Sequence, residues 1–180
     1  MASKQIIVLV GPSGSGKTSI GEILSKNGLP RLVTTTTREP RDGEVNEVDY
    51  YFRELTELNR KDFVEQTIYN GNHYGLTKKE VTSMLETHDK VHVSLDQSGT
   101  EAVSKAFPKE ACVIFISITE EEMVRRMKIR GDSPEEIKER IDFSRETNEL
   151  EPPEVTDLVV INNDIHEAAN EILENVLENE

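Results

Sequence analysis

Gly11-Pro12-Ser13-Gly14-Ser15-Gly16-Lys17-Thr18 has the spacing G-x-x-x-x-G-K-[ST]. Glycines at these intervals let successive backbone N–H groups point into one concavity, which suits a polyphosphate. A helix that starts at the end of such a loop adds partial positive charge at the same place. The Lys17 ammonium is expected to reach the β and γ phosphates. The Thr18 hydroxyl is expected to ligate Mg²⁺. Gly11, Pro12, Ser13, Gly14, Ser15, Gly16, Lys17 and Thr18 are therefore the candidate polyphosphate-binding residues, with Thr18 also the metal ligand.

A second group of anion-binding residue types follows in Thr34-Thr35-Thr36-Thr37-Arg38-Glu39-Pro40-Arg41-Asp42-Gly43-Glu44. Pro40 forces Glu39 out of the helical region. In an extended path residues three apart share a side, so Arg38 and Arg41 can fork onto one phosphate. Tyr50 and Tyr74 add phenol donors without adding charge. The same residues also fit core aromatics beside surface arginines.

These groups need a frame. Gln5 to Val10 (QIIVLV) reads as a buried parallel strand, and Thr18 to Lys26 as a helix that Gly28 ends. Arg31 to Val33 reads as a short strand, Thr34 to Val48 as a loop and Asp49 to Phe52 as an aromatic strand. Thr56 is placed to cap a helix through Glu65, with Leu58 and Phe63 inward. Tyr69 to Gly75 reads as turn, and Lys78 to Thr87 as helix. Lys90 to Leu95 and Ala111 to Ile118 read as strands, with a helix from Thr100 to Phe107 between them. Thr119 and Ser133 are caps for helices over Glu120–Arg130 and from Pro134. Leu158 to Ile161 is a last strand. Ile165, Ala169, Ile172, Leu173 and Val176 mark an amphipathic C-terminal helix.

Strands that alternate with helices imply an α/β domain, a parallel sheet with helices on both faces. The stretch 34–87 breaks that rhythm and reads as a small mixed lobe facing the glycine loop. The expectation is one domain over 1–180, with a core of 1–33 and 88–180 and a lobe at about 34–87.

Lys and Arg total 21 against 35 Asp and Glu, a formal charge of −14. That balance argues against nucleic acid or an anionic membrane as partner, because both are met by basic faces. An anion site here has to be a local basic island. No apolar run is long enough to span a bilayer, and the N-terminus lacks a signal-peptide apolar segment. The single Cys112 lies in an apolar run and reads as a small buried hydrophobe, consistent with a reducing cytoplasm. Arg126 and Arg130, four apart, share one helical face. They fit either a phosphate-facing pair or surface partners of Glu121 and Glu122.

The order G-P-S-G-S-G-K-T, T-T-T-T-R-E-P-R-D-G-E, D-Y-Y-F, G-N-H-Y-G and R-G-D closely resembles the guanylate kinases, P-loop nucleoside monophosphate kinases. The likeness runs from Ile6 to Asn162. It implies transfer of the γ-phosphoryl of ATP to GMP with Mg²⁺. It also implies a P-loop NTPase-type core, a GMP-binding lobe and a helical lid at about 126–145. It assigns the GMP phosphate to Arg38, Arg41, Tyr50 and Tyr74, and guanine to Thr34, Glu65 and Asp96. It assigns the phosphates of ATP to Arg126, Arg130 and Arg140, and places Asn162 and its neighbour near adenine. Lys17, Arg38, Arg126, Arg130 and Arg140 are then the catalytic set, since phosphoryl transfer needs positioning and charge neutralisation rather than a base. The chain departs from the family pattern twice. Ser94 stands where the first aspartate of L-D-I-D falls, and Leu76 stands where Ser or Thr follows Tyr-Gly. The expectation from both is weaker activity or altered base preference.

Overall fold

In the computed structural model, which describes residues 4–69 and 71–177, Gln5–Val10 is the inner strand β1 of a parallel sheet. Chain order continues with α1 (Lys17–Lys26), β2 (Thr35–Thr36), β3 (Tyr51–Phe52), β4 (Phe63–Tyr69), β5 (Asn72–Thr77) and α2 (Lys78–Thr87). Then come β6 (Lys90–Ser94), α3 (Gln97–Ala106), β7 (Ala111–Ser117), α4 (Glu120–Arg130), α5 (Pro134–Glu146), β8 (Leu158–Ile161) and α6 (Ile165–Leu177). The main sheet has the order β6-β1-β7-β8, with every pairing parallel.

Alternation along β1 builds two cores. Ile6, Val8 and Val10 meet Val91, Val93, Val113 and Phe115, under Val81 of α2 and Val103 of α3. Ile7 and Leu9 meet Ile114, Ile116 and Val160, under Ile20 and Leu24 of α1 and Ala169 and Ile172 of α6. Fully burying each of the Val, Leu, Ile and Phe side chains among these contributes about 1.5–3 kcal/mol. A strand buried on both faces has no polar side to show, which is why QIIVLV does not alternate. The buried Lys90 donates from Nζ to Val176 O at 2.5 Å and so ties the last turn of α6 to the start of β6. Among the described residues no helix is long and apolar enough to cross a membrane.

A second sheet, ordered β3-β2-β5-β4, replaces the helix expected over Thr56–Glu65. Two 3-10 turns, Leu55–Glu57 and Arg60–Asp62, are followed directly by strand β4. The reason is composition: Val64, Thr67 and Ile68 favour a strand. They find their pairing partner in β5, part of which reads as turn from sequence, and Gly71 (φ 77°) lets the hairpin close. The register shifts between Phe63 and Glu65, so one extra residue bulges and re-aims Glu65.

His92 lies in β6 with 1% exposure, and its Nε2 is 2.8 Å from Ser25 Oγ on α1. A Cβ at Gly21 would sit 2.9 Å from the imidazole Cε1, so the helix and strand approach this closely only with glycine there. Burial, and secondarily the Arg31 charge, push the His92 pKa from 6.5 down to about 4. Above pH 6.5 the group is neutral in both folded and unfolded chains and contributes no difference. As pH falls from 6.5 to 4 the unfolded chain takes up the proton first, so folding stability is lost over that window. The loss is about 3 kcal/mol at 1.36 kcal/mol per pKa unit. Denaturant unfolding of wild type and His92→Gln from pH 4 to 7 checks this: the wild type loses stability relative to the variant as pH falls. A constant difference removes the claim.

Candidate active site

The glycine loop follows β1 at the carboxyl end of the parallel sheet, where β6 lies to one side and β7 to the other. Crevices at such a switch point are where open α/β sheets bind ligands. Gly16 precedes α1 with φ 93°, and a Cβ there would collide with the Asn162 amide. Asn162 Nδ2 donates to Ser15 O at 2.7 Å, bracing the loop from the end of β8. Ser15 Oγ and Asn162 Oδ1 are buried without a hydrogen-bond partner among the described residues. Lys17 Nζ donates to Gly11 O at 2.6 Å and Pro12 O at 3.0 Å. Burial lowers its pKa from 10.5 to about 8, against the opposing pull of Glu149, with Arg140 adding to the lowering.

Arginines close over this loop from α4 and α5. Arg126 donates from Nη2 to Asn162 O at 2.6 Å and from Nη1 to Gly14 O at 3.4 Å, while its Nε rests on Glu122. Arg140 Nη2 donates to Ser13 Oγ at 2.7 Å. Arg130 lines the same cleft but pairs with Asp132 and stays exposed. Of the two partners open in the sequence, Glu122 takes Arg126 and also Arg125. Local rules put the helices in place: Thr119 Oγ accepts from Glu122 N, and Ser133 with Glu136 forms a capping box behind Pro134. Ile118, Met123, Met127, Ile137 and Ile141 pack the two helices together as a small separate core. The cleft measures about 790 Å³ and is also walled by Thr18, Asn163, Asp164 and His166. Arg125, Asp164 and His166 were not singled out from sequence; their only signal is nearness to Arg126 and Asn162.

The second cradle lies on the smaller sheet. Thr36 Oγ donates to His73 O at 2.9 Å and accepts from Arg38 N at 3.1 Å. Thr37 Oγ accepts from His73 N at 2.9 Å. The threonine run thus stitches to β5 and aims Arg38. The Arg38 guanidinium lies 5.5 Å from the Tyr50 ring centroid and 5.8 Å from that of Phe52. Tyr50 and Tyr74 meet edge to face at 6.1 Å. Glu44 engages Arg38 Nη2 through both carboxylate oxygens, at 2.8 and 2.9 Å, and accepts from Arg41 N at 2.8 Å. Sequence reasoning gave Glu44 no part; its position three residues after Arg41 was the available signal. Arg41 itself is exposed. Thr34 is half-buried and its carbonyl accepts from Tyr51 N.

Two carboxylates meet at the start of α3. A Cβ placed on Gly99 would be 3.2 Å from Asp96 Oδ1 and 3.3 Å from Glu65 Oε2, so both acids converge over one backbone position. Asp96 Oδ1 accepts from Gly99 N at 2.7 Å and caps α3. Burial, then the Asp96 charge, raise the Glu65 pKa from 4.5 to about 7, against a hydrogen bond from the Leu76 amide. The Leu76 side chain is fully buried in the main core. Thr77 Oγ is taken by Glu80 N as the cap of α2. Leu76 therefore offers no hydroxyl beside Glu65, while Thr77, accepting at its oxygen, keeps its own O–H as a donor. Ser94 ends β6 opposite Leu9 and is exposed. Among the described residues no group of three or more His, Cys, Asp or Glu is placed to hold a metal. The exposed Thr18 hydroxyl in the cleft, beside loop amides, suits an Mg²⁺ that arrives on phosphate, because that ion takes few protein ligands and keeps waters.

Comparisons with known proteins point to one family. A family model described as guanylate kinase matches residues 3–180. A guanylate kinase of Fusobacterium nucleatum is 35% identical over 185 residues, covering 99% of this chain and 98% of that protein. One of Prochlorococcus marinus is 31% identical over 176 residues, covering 94% and 95%. The crystal structure of guanylate kinase from Anaplasma phagocytophilum superposes with a TM-score of 0.71 at 25% identity, covering 98% of this chain and 86% of that one.

Proposed function

This chain belongs to the guanylate kinase family, and on that premise we propose that it transfers the γ-phosphoryl group of ATP to the 5′-phosphate of GMP, yielding ADP and GDP. The observation that carries this reading is the convergence of Glu65 and Asp96 over Gly99, with Glu65 on the strand paired to β5, which carries Tyr74 of the Arg38–Tyr50–Tyr74 cluster. Guanine offers two donors, N1–H and the exocyclic amine, on one edge. A carboxylate accepts both, whereas adenine presents an acceptor there and leaves a buried polar group unpaired.

The chain's own groups divide the work. Loop amides, Lys17, Arg126 and Arg140 hold the ATP phosphates. Arg38, Arg41, Tyr50 and Tyr74 hold the acceptor phosphate, which exchanges with Glu44 for the Arg38 fork. Bringing the two in line and spreading charge over the equatorial oxygens supplies most of the rate, with no general base. Thr18 would hold an Mg²⁺ arriving with ATP, which when bound would supply neutralising charge. The stretch 34–87 acts as the lobe and the α4–α5 pair as the lid, and their closure excludes water. Thr34 contributes to the guanine site and Asn162 borders adenine. The compartment proposed is the cytoplasm.

The buried Leu76 and the exposed Ser94 leave base reading to Glu65 and Asp96 and remove one acid near the metal. We expect ADP release in the order GMP above IMP above AMP, with slower turnover than the usual kinase range of about 1–100 s⁻¹. A coupled ADP assay with ATP and GMP, dGMP, IMP or AMP measures this. AMP turned over as well as GMP removes the acceptor assignment, and no ADP with GMP still bound makes the chain a binding module.

A further inference from the structure

Thr77-Lys78-Lys79-Glu80 has the T-x-x-E spacing of a capping box, in which the glutamate reaches back to the cap residue's own amide. Only half of that box is made. Thr77 Oγ accepts from Glu80 N, but the Glu80 carboxylate turns away from the helix end. Its Oε1 accepts from Val33 N at 2.8 Å, and its Oε2 accepts from the Tyr51 hydroxyl at 2.9 Å. The residue is 8% exposed, and it forms no ion pair among the described residues. A glutamate gives up water and its local cap only where other donors compensate, and here those donors come from two distant segments.

The position of these donors is the point. Val33 is where the chain leaves the main sheet, directly after Leu32 N donates to His92 O. Thr77 and α2 are where it returns. Glu80 therefore clamps the outgoing crossing to the incoming one. Its other oxygen grips β3 through Tyr51. Successive residues of a strand face opposite sides, so Tyr51 points to Glu80 while Tyr50 points to Arg38 and Tyr74. A cavity of about 420 Å³ lies against the clamp, bordered by Tyr51, Phe63, Thr77 and Glu80. With that space beside it, the small sheet can rock about the clamp without a close-packed interface having to be rebuilt.

We propose that Glu80 is the pivot of the small lobe and a positioning residue for acceptor binding: through Val33 and Tyr51 it sets where Tyr50 and Arg38 stand relative to the glycine loop. This rests on the acceptor-site reading above. Gln at position 80 remakes both contacts, its carbonyl accepting from Val33 N and its amide donating to the Tyr51 oxygen. Ala remakes neither.

The test compares wild type, Glu80→Ala, Glu80→Gln and Tyr51→Phe below their melting temperatures. For Glu80→Ala, the KM for GMP rises about tenfold while that for ATP stays within about twofold. Tyr51→Phe shows a smaller rise, and Glu80→Gln behaves as wild type. Amide hydrogen exchange supplies the readout that does not depend on turnover: Glu80→Ala loses protection at 33–36 and 50–52 but keeps it in β1 and β7. Equal changes in both KM values, no rescue by Gln, or protection lost evenly across both sheets overturns the pivot. If wild type does not phosphorylate GMP, the acceptor reading falls, and exchange alone decides the pivot.

Discussion

Replacing Lys17 with Met lowers kcat by roughly 10²–10³-fold, the usual consequence of removing one donor aimed at developing charge. The KM for GMP stays within about threefold, because Lys17 belongs to the other cradle. The ammonium now rests on Gly11 O and Pro12 O, inside the concavity a polyphosphate would fill. It is the only group of the loop that carries full charge; the amides supply dipoles alone. Steady-state kinetics with a melting curve check this, and a kcat within tenfold of wild type refutes it. The same lysine predicts an alkaline limit. Its pKa is lowered to about 8 by burial, and the charged form attracts phosphate. The KM for ATP therefore rises as pH climbs through 8. ATP binding near pH 8 takes up a proton, which calorimetry in buffers of different ionisation enthalpy detects.

Glu65→Gln is the second large effect. On the proposed reading the carboxylate accepts both guanine donors, while an amide accepts one and turns its own donor toward the other. Loss of one hydrogen bond and one unpaired buried group, at about 1–3 kcal/mol each, lowers kcat/KM for GMP by about 10²-fold and shrinks the preference over AMP. Since the base-reading form is the ionised one and its pKa is about 7, wild-type KM for GMP rises about tenfold per pH unit below 7. That slope is absent in Glu65→Gln. Stability moves the opposite way. A carboxyl whose folded pKa is raised from 4.5 to about 7 costs the nucleotide-free protein stability as pH rises through that window. The variant escapes this and melts higher at pH 7.5, a trade of stability for function. An unchanged GMP-to-AMP ratio, or a lower melting temperature, defeats the argument.

The glycine loop was legible because its chemistry is local. Backbone amides, a lysine and a helix start all fall within eight residues, so a pattern in one dimension describes the site in three. The main sheet was legible for a similar reason: runs such as Gln5–Val10 and Ala111–Ser117 are apolar throughout only when both faces are covered. The small sheet was not. Thr56 to Glu65 carries a cap-like threonine ahead of Leu58 and Phe63, and these outweighed the strand preference of Val64, Thr67 and Ile68. Pairing with β5, whose own sequence reads partly as turn, decided the matter.

By itself the sequence determined a glycine loop built to offer main-chain amides to an anion, a parallel-sheet core and, through resemblance, which family the chain joins. Those properties follow from short-range geometry and from patterns a folded chain cannot disguise. Only the tertiary structure decided which charges face one another. It bulged Glu65 onto Gly99 beside Asp96, gave Arg38 to Glu44 and Arg130 to Asp132, and turned Glu80 from its helix cap to Val33 and Tyr51. The Glu65 and Glu80 contacts depend on partners tens of residues away, and all of these choices depend on the removal of water around the charges, which spacing along the chain does not record.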